Sequence, residues 1–325
     1  MKSYSEIELE EIRASSNHFF SKLSGKTILV AGASGFVGSW LTAVFDFANR
    51  QTASNIDVIG IARKFSPEFR RAFSKTNLFE CDIGDFSSIP DFRPDCVFNA
   101  ATPSVPGRGG IDPRQILNAS SRGTENLLGL CRDGSKPLFI NLSSGIVTKR
   151  VGDKTLDLSK HPDAYLHGKR LSEDLVKTST EVGKVRGVNF RLYAFAGPGI
   201  SLTDHFAVGN FLFDALSGRP IVIKGNPSTI RSYLYPTDLI ANLLNLSIGE
   251  HSEHVELGSR IKVTMRELAE LINSVTGNDG IIQTEAFGAS NDYTPNQWPD
   301  LVDQTLDLRI SISRWKNWLN SGVYP

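Results

Sequence analysis

Between Lys26 and Leu192, short apolar runs alternate with longer stretches in which apolar residues recur at helical spacing. The runs Thr27–Ala31, Asp57–Ala62, Leu78–Cys81, Cys96–Asn99, Leu138–Ser143 and Gly187–Leu192 are short and almost continuously apolar. That is the pattern of strands covered on both faces. The stretches Val37–Asn49, Ile111–Cys131 and Ala164–Thr180 carry the helical period. Strand and helix in strict alternation imply right-handed crossovers and a parallel sheet with helices on both sides. The expected class is therefore α/β, with a doubly wound parallel sheet.

The ends of the chain read differently. Residues 5–23 place Ile7, Leu9, Ile12, Phe19, Phe20 and Leu23 among Glu and Ser, which predicts one amphipathic helix on the outside of the domain. After Gly197 the alternation loosens, and Pro, Gly and Asn become frequent. Helices are expected near Ala207–Leu216, Thr237–Leu246, Met265–Val275 and Ile310–Leu319, and residues 277–305 read as a long loop over a site. The domain reading is a helical extension over 1–24, a sheet domain over 25–196, and a smaller C-terminal lobe over 197–325, some of whose segments return to the first core.

Charge narrows the partners. Lys and Arg together number 35, and so do Asp and Glu, so no net field draws the chain to nucleic acid or an anionic membrane. A phosphate-bearing ligand must be held by local donors instead. Three cysteines without close spacing (Cys81, Cys96 and Cys131) fit reduced thiols better than a disulfide framework or a metal site. The acidic first residues do not read as a signal peptide, and no run approaches the roughly 20 apolar residues of a membrane span. A cytoplasmic protein without a bound metal is expected.

The first strand runs directly into Gly32-Ala33-Ser34-Gly35-Phe36-Val37-Gly38. Three glycines between a strand and a helix let backbone approach a pyrophosphate, and the helix start offers amide donors and the positive end of its dipole. Gly32, Ser34, Gly35, Phe36, Val37 and Gly38 are therefore candidate contacts for a nicotinamide dinucleotide on a Rossmann sheet. The second strand ends in Ile61-Ala62-Arg63-Lys64, without the acid that holds a ribose 2′-hydroxyl. A cation there suits a 2′-phosphate, so NAD(P) is expected with NADP favoured, although Arg63 as a solvated charge stacking on adenine is the alternative. Asp82 and Ile83, after the third strand, are placed to meet the adenine. Ala100 and Ala101, after the fourth, are small enough for backbone to pass the nicotinamide ribose.

Tyr165 and Lys169 stand one helical turn apart, on one face. A phenol has a reference pKa of about 10, and a nearby ammonium lowers it toward neutrality. Such a phenol exchanges a proton with a substrate hydroxyl while hydride moves to or from the nicotinamide. Ser144, at the end of the fifth strand, is placed to donate to the substrate oxygen, with Ser143 the second candidate.

In this order, these segments resemble the extended short-chain dehydrogenase/reductase family, in its NAD-dependent epimerase/dehydratase branch that modifies nucleotide sugars. The resemblance runs over roughly residues 26–275. It rests on Gly32–Gly38, Asp82-Ile83, Asn99-Ala100-Ala101, Asn118 with Gly123-Thr124 and Asn126-Leu127-Leu128, Ser143-Ser144, Tyr165 with Lys169 and Glu173, Arg191 with Gly197-Pro198-Gly199, and Arg231–Asp238. It implies a nucleotide-sugar substrate whose secondary alcohol, at C4, is oxidised or its ketone reduced. It implies that Asn118 adds to the cofactor site, and that Asn210 and Arg231 bind the substrate diphosphate. It also implies a homodimer, formed across the helices near Ile111–Cys131 and Ala164–Thr180. Leu127, Leu128, Leu130, Leu171 and Leu175 either serve that interface or face their own sheet.

The sequence departs from the family in several places, among them Thr148 where an aromatic is usual and Tyr193-Ala194-Phe195-Ala196 where an Asn usually precedes the Gly-Pro loop. Dehydratases of the family carry an acidic pair just after the catalytic Ser or Thr, where this chain has Gly145 and Ile146. Without those carboxylates, elimination of water lacks its acid and base. The missing acid after the second strand pulls toward an exchangeable NADPH. Two other readings stay open: an NADPH-dependent reductase of small ketones, and a non-catalytic sensor of cofactor redox state.

Overall fold

The computed structural model describes residues 4–52, 54–85, 92–102, 112–131, 134–148, 157–204, 206–249, 254–285, 288–299 and 306–321. In chain order the elements are α1 (Glu6–Ser15), α2 (Asn17–Lys22), β1 (Thr27–Ala31), α3 (Phe36–Gln51), β2 (Asp57–Ala62), α4 (Pro67–Ala72), β3 (Asn77–Glu80), β4 (Cys96–Asn99), α5 (Pro113–Ser120), α6 (Arg122–Gly129), β5 (Leu138–Ser144), α7 (His161–Glu181) and β6 (Arg186–Leu192). These are followed by β7 (Ala194–Phe195), α8 (Ala207–Leu216), β8 (Ile221–Ile223), β9 (Ile230–Leu234), α9 (Pro236–Ser247), β10 (His254–Leu257), β11 (Lys262–Thr264), α10 (Met265–Thr276), β12 (Ile282–Thr284) and α11 (Leu308–Asn320).

Seven strands form one sheet in the order β10-β6-β5-β4-β1-β2-β3. The pairings from β6 across to β3 are all parallel. The order reverses between β1 and β4, which makes their carboxyl ends the topological switch point where such sheets bind ligands. The doubly wound expectation holds, and β10 adds a seventh strand that the sequence pattern did not reveal. Its partner is β6, and the two lie far apart in the chain.

The chain divides into two compact units. One holds residues 3–192 and 240–255, and the other holds 193–239 and 256–325. In the first unit the inner strands are buried along nearly their whole length, as their continuous apolar runs require. Local signals fix the helix starts. Ser66 caps α4 ahead of Pro67, and Asp112 caps α5 ahead of Pro113.

Two expected helices are divided. The segment 5–23 breaks at Ser16 into α1 and α2, and its apolar face packs inward. Ile12 and Phe19 are fully buried, and Phe19 and Phe20 pack on Phe45 of α3. The stretch 111–131 breaks at Ser121 into α5 and α6, whereas its first residue lies outside the described residues. Leu127, Leu128 and Leu130 are buried with Leu29, Val97 and Phe139 of the same unit, and Leu175 packs against that cluster. These leucines therefore face their own sheet.

A polar seam crosses this apolar sheet. Asn99, Asn141 and Asn189 are in register on β4, β5 and β6. The Asn99 amide donates to Asn141 Oδ1 (3.1 Å), and the Asn141 amide donates to Asn189 Oδ1 (2.8 Å). Thr124 of α6 accepts from Asn99, while Ser172 and the Glu173 carbonyl of α7 accept from Asn141 and Asn189. All three side chains are buried, so these bonds offset a desolvation cost of about 1–3 kcal/mol for each amide left unpaired.

The second unit has a three-stranded sheet, β11-β9-β7, and a two-stranded one, β12-β8. Helix α10 is bounded at both ends: a capping box joins Thr264 and Glu267, and Gly277 stops the helix in the left-handed region at φ +74°. The described part of the expected long loop lies along β9, where Tyr293 bridges Arg231 and the Tyr293 amide donates to the Ile230 carbonyl.

Candidate active site

Backbone approach dictates the turn after β1. Gly32 has φ +82°, and a Cβ there would lie 2.5 Å from the Ala100 carbonyl oxygen and 2.9 Å from Ala101 Cα. A Cβ on Gly38 would lie 2.1 Å from the Gly32 carbonyl oxygen. These two glycines press the turn, the first turn of α3 and the end of β4 against one another. The amides of Gly32 and Ala33 both donate to the Ile61 carbonyl, which ties the turn to β2. Gly35 is the N-cap and brings no side chain to cover the helix start, while Ser34 and Gly35 are exposed. A cradle of this shape and polarity fits a dinucleotide pyrophosphate.

The other candidate cofactor residues lie along the same carboxyl edge. Arg63 is exposed just beyond β2. The nearby carboxylate of Glu80 is occupied: it accepts from the Phe65 amide (2.9 Å) and from Arg70 (2.8 Å). Asp82 is exposed, and its Oδ1 accepts from the Gly84 amide, which shapes the turn after β3. Asn118 of α5 crosses directly above that turn, because a Cβ on Gly84 would lie 2.1 Å from its Nδ2. Ile83 is buried against Gly123, and its carbonyl accepts from Asn126. Ala100 and Ala101 are half-buried beside Gly32. The motifs of the first unit that the sequence singled out thus gather at one end of the sheet.

Tyr165 and Lys169 lie on α7, which packs on β5, and β5 ends at Ser144. Lys169 is buried, and its Nζ donates to the Leu142 carbonyl at 2.6 Å. The same Nζ sits 5.7 Å from the centroid of the Tyr165 ring. Burial pushes the Lys169 pKa down to about 8, with the Glu173 carboxylate opposing that shift. At pH 7 the group is still largely the ammonium. One turn before Tyr165, the His161 imidazole lies parallel to the phenol at 6.2 Å between centroids, and burial lowers its pKa.

The structure separates the two candidate serines. Ser143 donates to Glu173 Oε1 at 2.5 Å, and Arg191 holds the same carboxylate through Nε (3.0 Å) and Nη2 (2.7 Å). Ser143 is thereby committed to a buried structural cluster. Ser144 points to the opposite side of the strand, and its Oγ accepts from the Ile146 amide at 3.3 Å. Sequence reading missed Gly168, whose absent side chain lets α5 reach α7: a Cβ there would lie 2.7 Å from Ser120 Oγ. A glycine inside a helical pattern, next to the lysine, was its signal.

The two candidate substrate residues belong to the second unit. Asn210 is half-buried on α8, next to Gly209, where a Cβ would lie 2.2 Å from the Ser201 carbonyl oxygen. Arg231, on β9, donates from Nη1 to the carbonyls of Ile230 (3.0 Å) and Asn291 (2.5 Å), with its guanidinium 5.9 Å from the Tyr293 ring centroid. Among the described residues there is no cluster of His, Cys, Asp and Glu that could hold a metal, and no helix long and apolar enough to cross a membrane.

A doubly wound sheet with a glycine cradle at its switch point, and with Tyr and Lys one turn apart beside it, defines a nicotinamide-dinucleotide-binding protein of the extended short-chain dehydrogenase/reductase type. The chain belongs to the NAD dependent epimerase/dehydratase family, whose model matches residues 28–258. It is 27% identical over 272 residues to a UDP-glucuronic acid decarboxylase 1 from Danio rerio, covering 82% of this chain and 64% of that protein. A UDP-glucuronic acid decarboxylase 1 from Xenopus tropicalis is 26% identical, over 89% of this chain and 69% of its own length. The chain thus spans about two thirds of the length of these relatives. Among solved structures, the fold is shared with an epimerase from Methanothermobacter thermautotrophicus (TM-score 0.77, 20% identity, 94% and 96% of the two chains). It is shared as well with a UDP-glucose 4-epimerase from Thermotoga maritima solved with UDP-glucose (TM-score 0.74, 18% identity, 90% and 98%).

Proposed function

We propose that the chain oxidises a secondary alcohol of a nucleotide sugar at C4, with Tyr165 as acid/base. The observation that carries this reading is the buried ammonium of Lys169, fixed to the Leu142 carbonyl one helical turn from Tyr165. A cation held there favours the phenolate and lets Tyr165 take the substrate hydroxyl proton. Ser144 donates to the same oxygen and orients it. When bound, the nicotinamide ring supplies the reversible acceptance of hydride. Arg231 and Asn210 bind the diphosphate.

The ketone left by this oxidation has several fates, and the residues after Ser144 sort them. Gly145 and Ile146 offer no carboxylate for eliminating water. Epimerisation returns the stored hydride to the opposite face of that ketone, whereas net reduction starts instead from a 4-keto sugar and an exchangeable NADPH; both use Tyr165 for the proton. Loss of CO2 is equally open if the sugar is a uronate, because a C4 ketone makes its carboxylate a β-keto acid. The decarboxylase relatives support testing that substrate first. The cation at Arg63 supports NADP over NAD. The family resemblance supports a homodimer, which light scattering would test, although Leu127, Leu128 and Leu130 do not supply its contact.

The test is direct. The purified protein is denatured and any released dinucleotide identified by mass spectrometry, then wild type and Tyr165→Phe are incubated with UDP-glucuronic acid, UDP-glucose and 4-keto sugar nucleotides. Stoichiometric retained cofactor supports a redox-neutral outcome, whereas an empty protein that binds NADPH supports net reduction. Full activity in Tyr165→Phe would refute the assignment.

A further inference from the structure

The sequence left the N-terminal segment without a role, and the structure places it, through Tyr4 and Phe19, against both walls of the dinucleotide cradle. Tyr4 is buried, with its ring 4.0 Å from that of Trp40 between centroids and its hydroxyl 2.7 Å from Ser39 Oγ. Ser39 Oγ in turn donates to the Phe36 carbonyl. Phe36 to Ser39 are the first turn of α3, the turn that Gly38 wedges against Gly32. On the other wall, Phe19 of α2 lies 6.2 Å from Phe98, which precedes the Asn99-Ala100-Ala101 segment that touches Gly32. The segment is anchored independently: Glu6 pairs with Arg50 at 3.0 Å, and Asn245 of α9 donates to the Ser15 carbonyl.

We propose that Tyr4, just ahead of α1, is a positioning residue for the first turn of α3 and so for the cofactor turn. That turn presents its amides to the pyrophosphate, and its affinity depends on how closely it is held against Gly32. Gly38 fixes it from the strand side, and the Tyr4–Ser39 bond with the tilted Tyr4–Trp40 ring contact fixes it from the outside. Removing the Tyr4 hydroxyl keeps the ring contact with Trp40 and takes from Ser39 Oγ its bond to Tyr4, leaving its bond to the Phe36 carbonyl. The expected consequence falls on dinucleotide affinity and not on the fold. The inference rests on the reading of Gly32–Gly38 as the cofactor turn, which needs its own control.

The experiment titrates cofactor-free, full-length protein with NAD+ and NADP+ by calorimetry, alongside thermal unfolding. Tyr4→Phe is expected to weaken binding several-fold with little change in Tm. Phe20→Leu loosens the same segment against Phe45, away from the first turn, and is expected to lower Tm with unchanged affinity. Ser34→Asp puts a carboxylate on the exposed turn and is expected to abolish binding. Wild-type affinity in Tyr4→Phe, or affinity lost in both Tyr4→Phe and Phe20→Leu in proportion to Tm, overturns the role given to Tyr4. Wild-type affinity in Ser34→Asp instead shows that the dinucleotide does not use this turn, and the inference falls for that separate reason.

Discussion

The ammonium of Lys169 donates a 2.6 Å hydrogen bond to the carbonyl oxygen of Leu142, and both residues are almost completely enclosed. The bond joins the middle of α7 to the end of β5, which fixes the Tyr165 helix with respect to Ser144. A charge is kept in the interior for this purpose, at a cost visible in its pKa of about 8.

That cost has a sign. Because the folded-state pKa lies below the unfolded value of about 10.4, the unfolded chain binds more protons between these values, and stability rises with pH across that window. Activity runs the other way, since the cation beside Tyr165 is lost above about pH 8. Lys169→Met is expected to remove both effects. Its Tm near neutral pH equals or exceeds that of wild type, while kcat falls by about 10²–10⁴-fold. Calorimetry and steady-state kinetics across pH 6–10 check the pair of outcomes.

Glu173 holds Ser143 and Arg191 together, and its side chain is only 11% exposed. Glu173→Leu strands a mostly buried guanidinium and is expected to cost about 3 kcal/mol in chemical denaturation. Adding Arg191→Met removes the stranded charge, and most of that loss should return. A double variant as unstable as the single one would mean that Glu173 matters through something other than Arg191.

The Asn99–Asn141–Asn189 chain makes a parallel prediction in neutral groups. Asn141→Leu leaves both neighbouring amides short of a partner, at an expected cost of about 1–3 kcal/mol each. The triple change to apolar residues of similar size is expected to be less destabilising than Asn141→Leu alone. Urea midpoints of the single and triple variants decide it.

Arg63 is exposed just beyond β2, and the nearby Glu80 is already taken by Arg70 and the Phe65 amide; under the proposed NADP preference, Arg63 meets the 2′-phosphate. Arg63→Ala is expected to weaken NADP+ by about 10–100-fold, the worth of one charge-assisted contact, and to leave NAD+ nearly unchanged. Equal effects on the two dinucleotides would assign Arg63 to adenine stacking.

Much of the first unit was legible because its signals are local. Gly32–Gly38 sits between a readable strand and a readable helix, and Tyr165 and Lys169 are one turn apart on a long periodic stretch. What escaped depends on distant partners. Strand β10 is four residues long, and its place beside β6 is fixed by folding and not by its own pattern. Asn141 and Asn189 look like interruptions of apolar strands until their register is known. The break at Ser121 was hidden by apolar spacing that continues across it. The choice between Ser143 and Ser144 needed the direction of the strand face, which puts Glu173 on one side only. The burial of Tyr4 could not be read from a segment whose partner, Trp40, lies on another helix.

The seam of asparagines also constrains how this chain can change over generations. Each amide bonds the next, so the first loss among the three leaves a buried neighbour short of one partner, and the benefit of an apolar core arrives only when the last has gone. A lineage therefore crosses from the polar seam to an apolar one through less stable intermediates, or it keeps all three asparagines as an inherited block.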